Sequence, residues 1–168
     1  MRCNRWFVTI VLVALGAAVV VVMALALPAL SQTASDQQIT VSVHNDRSTF
    51  RFVDVGKKSY SVGDYDILRA PLLDPSSREV RGKFVIRCTW VAINFEERTH
   101  NSLCEGVAEF DEGRVTFYGG PVKFAGPGTV DTALAVTGGT GSYTLARGTV
   151  HALETQQGID LTFELVTQ

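Results

Sequence analysis

The sequence predicts an all-β domain: an antiparallel β-barrel of about eight strands, preceded by an N-terminal signal or transmembrane helix. Three observations support this. After residue 38, clusters of turn-forming residues recur about every eight to twelve positions. Between them, apolar and polar side chains alternate with the period of a strand. No segment there keeps a helical period over three turns. A barrel of about eight strands has an interior that side chains nearly fill, or that holds one small ligand.

The N-terminal segment predicts export. Residues 1–5 are short and basic, and residues 6–30 contain no charged side chain, which is enough length for the ~20 residues of a membrane span. The positive end stays in the cytoplasm, so the remainder is expected outside the cytoplasmic membrane. We interpret residues 1–31 as a signal peptide cleaved after Ser31, which would give a secreted protein. The alternative is an uncleaved anchor, which would be the only contact with the membrane.

The net charge bears on the expected binding partners, and the cysteines bear on whether a disulfide forms. The 15 basic and 17 acidic residues give a net charge of -2 and are spread along the chain, so no nucleic-acid partner is expected. Cys3 precedes the apolar run, whereas Cys88 and Cys104 lie in the exported part and flank a predicted hairpin tip. An oxidising compartment permits a disulfide between them. The alternative is two separate buried thiols.

The elements follow in order along the exported chain. Residues 32–38 are polar and are predicted to form a linker, and residues 39–168 to form the barrel. Between turn-forming clusters, the alternation predicts strands at 39–43, 50–53, 65–68, 80–93, 103–110, 114–118, 149–153 and 159–166. The stretch 71–78, which contains two prolines and two serines, is predicted to be a loop.

A glycine cluster interrupts residues 134–150. Gly138, Gly139 and Gly141 tolerate positive φ and a tight reversal, so we predict a strand, a glycine turn and a second strand that includes Tyr143 and Leu145. A phosphate-binding loop is a poor alternative, because no helix start and no Lys-Ser or Lys-Thr pair follows the glycines.

Metal and triad chemistry are not expected. His44, His100 and His151 each lack a histidine or cysteine two or four residues away, so we interpret them as satisfied or solvent-facing side chains and predict no metal site and no cofactor. No Gly-x-Ser-x-Gly nucleophile motif is present.

The longest predicted strand indicates a binding cavity. Its apolar residues alternate and therefore share one face, which we expect to point into the barrel and to bind substrate: Phe84, Ile86, Cys88 and Trp90. Asp64, Glu105 and Tyr118 are the candidate polar contacts near one mouth. Each has an alternative interpretation: Asp64 as a turn former, Glu105 as an outward charge and Tyr118 as a rim residue.

The glycine cluster also carries a family resemblance. The run LAVTGGTGSYTLARGTV at 134–150 resembles the closing signature of the allene oxide cyclase and dirigent-like barrels. Other similar pieces occur in the same order along residues 39–165, among them Gly63-Asp64, Phe95-Glu96-Glu97 and Gly119-Gly120-Pro121. Cys88 matches the family cysteine by its spacing from Gly82. The resemblance implies a calycin-type, eight-stranded antiparallel barrel.

The resemblance also implies a function. Barrels of this family hold a reactive hydrophobic molecule and direct its ring closure mainly through proximity and shape, while a carboxylate or phenol steadies developing charge. The implied protein is a cofactor-free cyclase or isomerase of a hydrophobic small molecule, with Asp64, Glu105 and Tyr118 as catalytic candidates. The alternative is a non-catalytic, dirigent-like binding barrel. Family members often form dimers or trimers, so a homo-oligomer is compatible with the resemblance.

Overall fold

The computed structural model describes residues 35–56, 59–126, 128 and 130–167. The predicted signal or anchor at residues 1–31 lies outside this part. Within it, no helix has the length and hydropathy needed to cross a membrane. The described residues form a short 3₁₀ turn, Asn45–Arg47, and nine strands: β1 Ser35–His44, β2 Thr49–Val53, β3 Tyr65–Leu73, β4 Val80–Asn94, β5 Thr99–Phe110, β6 Gly113–Phe124, β7 Asp131–Gly141, β8 Arg147–Glu154 and β9 Gly158–Thr167.

Eight of these strands close a barrel. All pairings are antiparallel, and the hydrogen-bonded order runs β1, β9, β8, β7, β6, β5, β4, β3. Ser42 of β1 pairs with Leu73 of β3 and closes the ring. The N-terminal half of β3 pairs with β2, from Thr49 opposite Arg69 to Val53 opposite Tyr65. β2 is therefore an extra strand beside the ring. The predicted all-β antiparallel barrel is confirmed, with one strand more than the closed ring needs.

Strand alternation separates the inside of the barrel from the outside. On β4, Phe84 and Cys88 are buried, whereas Val85 and Arg87 between them are exposed. One end of the barrel is closed by aromatic packing, in which the Phe110 ring centroid lies 5.7 Å from those of Tyr143 and Phe163. The cavity of the barrel extends toward the other end, where Asn45, Arg98 and Glu154 line it.

Two predicted boundaries are corrected. β1 begins at Ser35, so residues 35–38 are not a linker but pair with β9. Ladder hydrogen bonds use the backbone, and the polar side chains of residues 36–38 remain exposed, which is why their composition resembled a linker. β3 continues to Leu73 instead of ending before Pro71, because Leu72 and Leu73 are buried in the core.

The glycine cluster does not form the turn that was predicted. Gly138 and Gly139 lie within β7, and the chain reverses afterwards, at residues 142–145. A Cβ on Gly139 would lie 2.4 Å from the Tyr143 carbonyl oxygen and 2.5 Å from that of Arg114, so glycine allows a close backbone approach here. The Ala146 amide donates a hydrogen bond to the Tyr143 carbonyl (3.0 Å), so Tyr143 belongs to the turn and not to an alternating strand.

Candidate functional site

The barrel encloses a cavity of about 520 Å³. It opens at the end of the barrel that carries four connections. Residues of the connections β1–β2, β4–β5 and β6–β7 line it, and so do Glu154 and Gly158, which flank the connection β8–β9. Its wall is mainly apolar and includes Leu68, Phe84, Ile86, Phe117, Val122, Phe124, Leu134, Ala152, Ile159 and Leu161. The volume and the lining are those of a small-molecule site.

A few polar side chains interrupt this wall. Asp66 comes from β3, His100 from β5, Thr132 from β7 and Glu154 from the end of β8. Arg98 lies at the rim, on the hairpin between β4 and β5. A small number of polar groups in an apolar cavity usually orients a ligand or reacts with it.

Asp66 is held by one hydrogen bond and leaves one oxygen free. The Trp90 indole Nε1 donates a hydrogen bond to Asp66 Oδ2 at 2.8 Å. Asp66 Oδ1 is buried and accepts no hydrogen bond. Burial raises the pKa of Asp66, while the Trp90 hydrogen bond and the nearby His100 act in the opposite direction. This oxygen therefore has unused hydrogen-bonding capacity in a side chain that lines the cavity.

His100 is fixed between two aromatic rings. Its centroid lies 4.0 Å from that of Trp90 and 4.9 Å from that of Phe124, with interplanar angles of 19° and 14°. Nε2 is buried without a hydrogen-bond partner. Burial lowers the pKa of His100 below its usual 6.5, against the opposing charge of Asp66. The imidazole is therefore mainly neutral at pH 7, and burial also favours the neutral form of Asp66.

The lowered pKa of His100 leads to a prediction about stability. The unfolded chain binds more protons than the folded chain just below pH 6.5, so we expect the free energy of unfolding to fall as the pH drops through this window. Urea denaturation at about pH 5 to 7 measures the effect. His100→Phe retains the ring stack and should lose this part of the pH dependence. The exposed His151→Phe should retain it. An unchanged pH dependence in His100→Phe would contradict the prediction.

The predicted substrate-binding face of β4 points inward. Phe84, Ile86 and Cys88 line the cavity. Trp90 lies on the same face and is 8% exposed, but it contacts Asp66 and His100 instead of lining the main cavity. Trp90 therefore positions these two polar side chains, Asp66 through a hydrogen bond and His100 through ring stacking.

The three predicted catalytic residues do not line the cavity. Asp64 is fully buried, and its carboxylate accepts hydrogen bonds from the backbone amides of Val55 (2.8 Å) and Ser61 (2.6 Å). The Val55 bond is the main cause of its lowered pKa, and burial acts in the opposite direction. Asp64 therefore stabilises the loop before β3. This is the alternative interpretation given above, in which Asp64 is a turn former.

Glu105 and Tyr118 face outward, so the expected position near the mouth is corrected. They pair across β5 and β6, both are exposed, and Glu105 forms a salt bridge with Arg87. The reason is strand alternation: the adjacent Cys104 and Phe117 point inward, so the residues that follow them must point outward.

Cys88 and Cys104 form a disulfide with an S–S distance of 2.11 Å. They lie directly opposite each other on β4 and β5, and both line the cavity. The structure therefore contains the disulfide, not two separate thiols. The bridge is part of the cavity wall and lies beside Asp66, because Asp66 pairs with Cys88 across β3 and β4.

The sequence analysis missed Asp66 and His100. His100 was interpreted as an isolated histidine, and Asp66 was not considered. A usable signal was present: Asp66 is two residues before Leu68, and His100 is four residues before Cys104, so each shares a strand face with a cavity residue. As for metals, the described part of the chain contains no group of three or more histidine, cysteine, aspartate or glutamate side chains that could hold one.

Comparison with known proteins supports the fold. No family model and no curated protein matches the chain. Solved structures do match it. They include a Diels-Alderase and a dirigent protein, and this chain is similar to them in its barrel fold. Pyocyanin demethylase is similar with a TM-score of 0.62 and 22% identity, over 77% of this chain and 99% of that one.

Two further structures are a Diels-Alderase and a dirigent protein. A Diels-Alderase from Streptomyces koyangensis has a TM-score of 0.55 and 14% identity, over 90% of this chain and 78% of that one. A pterocarpan synthase dirigent protein has a TM-score of 0.54 and 16% identity, over 80% and 96%. At such identities the similarity shows the fold alone. A specific relation to allene oxide cyclases is not confirmed.

Proposed function

We propose that this protein is an exported barrel that binds a reactive, largely apolar small molecule and directs its cyclisation or isomerisation. The observation that carries the proposal is the placement of Asp66 and His100 in an apolar cavity of about 520 Å³, each with a buried polar atom that has no partner. The names of two similar structures, a Diels-Alderase and a pterocarpan synthase dirigent protein, support ring formation as the reaction class.

The cavity would act first through shape. A flexible molecule enclosed by the barrel wall has few conformations, and holding its reacting atoms close together removes much of the entropic barrier to ring closure. The closed end formed by Phe110, Tyr143 and Phe163 limits how deeply a ligand enters. The reacting part of the ligand would then lie near the polar side chains at the mouth.

Asp66 and His100 would add proton transfer. In its carboxylate form, Asp66 accepts a proton at Oδ1 from a ligand carbon next to a carbonyl group. The same proton then returns to a different atom of the ligand, so an isomerisation is balanced without a co-reactant. Trp90 keeps Oδ2 occupied and thereby orients Oδ1. In the tautomer that carries its proton on Nε2, the neutral imidazole of His100 donates a hydrogen bond to the carbonyl oxygen and then to the enolate oxygen. Positioned general acids and bases contribute about 10² to 10⁴ in rate.

A non-catalytic binding barrel is the second candidate. The apolar wall alone would support it, because such a wall holds a ligand without changing it. Both candidates require an accessible cavity, and only the first includes proton transfer by Asp66.

Blocking the cavity tests what both candidates share. Ala152 lines the wall, so Ala152→Phe should fill part of the space and weaken binding of the apolar dye N-phenyl-1-naphthylamine at least about tenfold. Dye fluorescence measures the affinity. Ala133→Phe is the matched control, because Ala133 is exposed on β7. Circular dichroism checks that both variants fold. Equal affinity of Ala152→Phe and the wild type would refute binding in this cavity.

A further inference from the structure

A smaller depression lies beside the cavity mouth. It has a volume of about 280 Å³ and is lined by Tyr60, Trp90, Ile93, Phe95, Arg98 and His100, which we call the aromatic groove. Arg98 and His100 also line the main cavity. The aromatic groove and the cavity therefore adjoin each other and share Arg98 and His100 as part of their walls.

The aromatic groove has an unusually apolar surface for an exposed region. Phe95 is 69% exposed and Tyr60 is 60% exposed. Exposed apolar side chains that cluster beside a cavity commonly mark a binding surface. Tyr60 is also held in place, because its ring centroid lies 5.4 Å from those of Phe52 and Trp90, and it is nearly parallel to Trp90 at 16°. The groove is thus partly preorganised without a ligand.

Its size indicates what kind of occupant it takes. Separate small-molecule sites usually measure about 300 to 1,000 Å³, and the aromatic groove is below this range. Since it adjoins a larger cavity, its occupant is best explained as one end of the ligand in that cavity. Aromatic side chains bind flat, unsaturated groups by stacking or edge contacts, and the Arg98 guanidinium at the junction also favours a π system.

We propose that the natural ligand is longer than the cavity and that the aromatic groove binds a planar unsaturated or aromatic end of it. This inference rests on the proposed function, since it assumes that the main cavity binds the rest of the molecule. It narrows the substrate class to elongated molecules that have an apolar body and a conjugated or aryl terminus. Compact bicyclic molecules would occupy the cavity alone.

Two fluorescent probes of different length test the proposal. N-phenyl-1-naphthylamine is compact, whereas trans-parinaric acid is a linear conjugated tetraene. We expect Phe95→Ala and Tyr60→Ala each to weaken binding of trans-parinaric acid about three- to tenfold, and to leave the affinity for the compact dye unchanged. Phe95→Ala is the more informative change, because Phe95 is so exposed that its loss should not disturb the fold. The control is Tyr118→Ala, which removes an exposed ring from the outer face.

The outcomes of this experiment distinguish failure of the subsite from failure of the proposed function. If the groove variants bind trans-parinaric acid as tightly as the wild type does, the aromatic groove is not a subsite, while the proposed function stands. An equal loss for both probes would also overturn the subsite, since the changes would then act through the cavity. If neither probe binds the wild type, the proposed function fails and the subsite with it.

Discussion

Replacing Asp66 by asparagine is expected to slow the proton exchange that this protein promotes by about 100-fold or more, if the proposed function holds. A suitable probe is 2-tetralone, an apolar ketone with acidic protons next to its carbonyl group. In D₂O, Asp66 would take one of these protons at Oδ1, and deuterium from solvent would replace it. Asparagine has nearly the same shape and can still accept the Trp90 hydrogen bond, but it cannot take up the proton. NMR measures the loss of the proton signal.

The same experiment separates catalysis from binding. If wild-type protein binds 2-tetralone but does not exceed the exchange rate in buffer, the non-catalytic barrel is the better explanation. If Asp66→Asn exchanges as fast as the wild type, Asp66 is not the base. Glu105→Gln is a useful comparison, because the structure places Glu105 on the outer face and predicts an unchanged rate.

The stability of Asp66→Asn provides an internal check. A pKa that is raised on folding means that the folded protein disfavours the charged carboxylate, so stability is lost as the pH rises through the pKa of the folded state. A neutral amide does not carry this cost. We therefore expect the variant to unfold at the same urea concentration as the wild type, or at a higher one, near pH 7. A slow but stable variant indicates lost chemistry, whereas a slow and unstable one indicates a damaged fold.

Removing the disulfide is expected to cost about 3 kcal/mol of the free energy of unfolding. The bridge joins residues 16 positions apart and therefore restricts the unfolded chain. The change to make is Cys88→Ala with Cys104→Ala, because both side chains are buried and a single change would leave a free thiol. Urea denaturation of the oxidised wild type and of the double variant gives the difference.

Reduction is the matched control for the double variant. Wild-type protein that is unfolded, reduced and refolded in dithiothreitol should lose a similar amount of stability, whereas dithiothreitol should not affect the double variant. A double variant as stable as the oxidised wild type would show that the bridge does not contribute to folding. The two cysteines also line the cavity, so probe affinity measured in parallel shows whether the bridge shapes the binding wall.

Local alternation determined which side chains face inward on a given strand. Phe84, Ile86 and Cys88 line the cavity as the sequence predicted, because successive side chains of a strand point to opposite faces whatever it pairs with. The same rule, applied to the neighbours of Cys104 and Phe117, would have placed Glu105 and Tyr118 outside. The recurring turns likewise predicted an antiparallel barrel, since short connections join neighbouring antiparallel strands.

Only the tertiary structure brought Asp66, Trp90 and His100 together. They lie on three different strands, and their meeting depends on the register between β3, β4 and β5, which places Asp66 opposite Cys88 and Trp90 opposite Ser102. Closure of the ring by Ser42 and Leu73 similarly decided that β2 stands outside it. Alternation depends on adjacent residues and can be read along one segment. Register and closure depend on pairings between distant segments, so composition and period do not specify them.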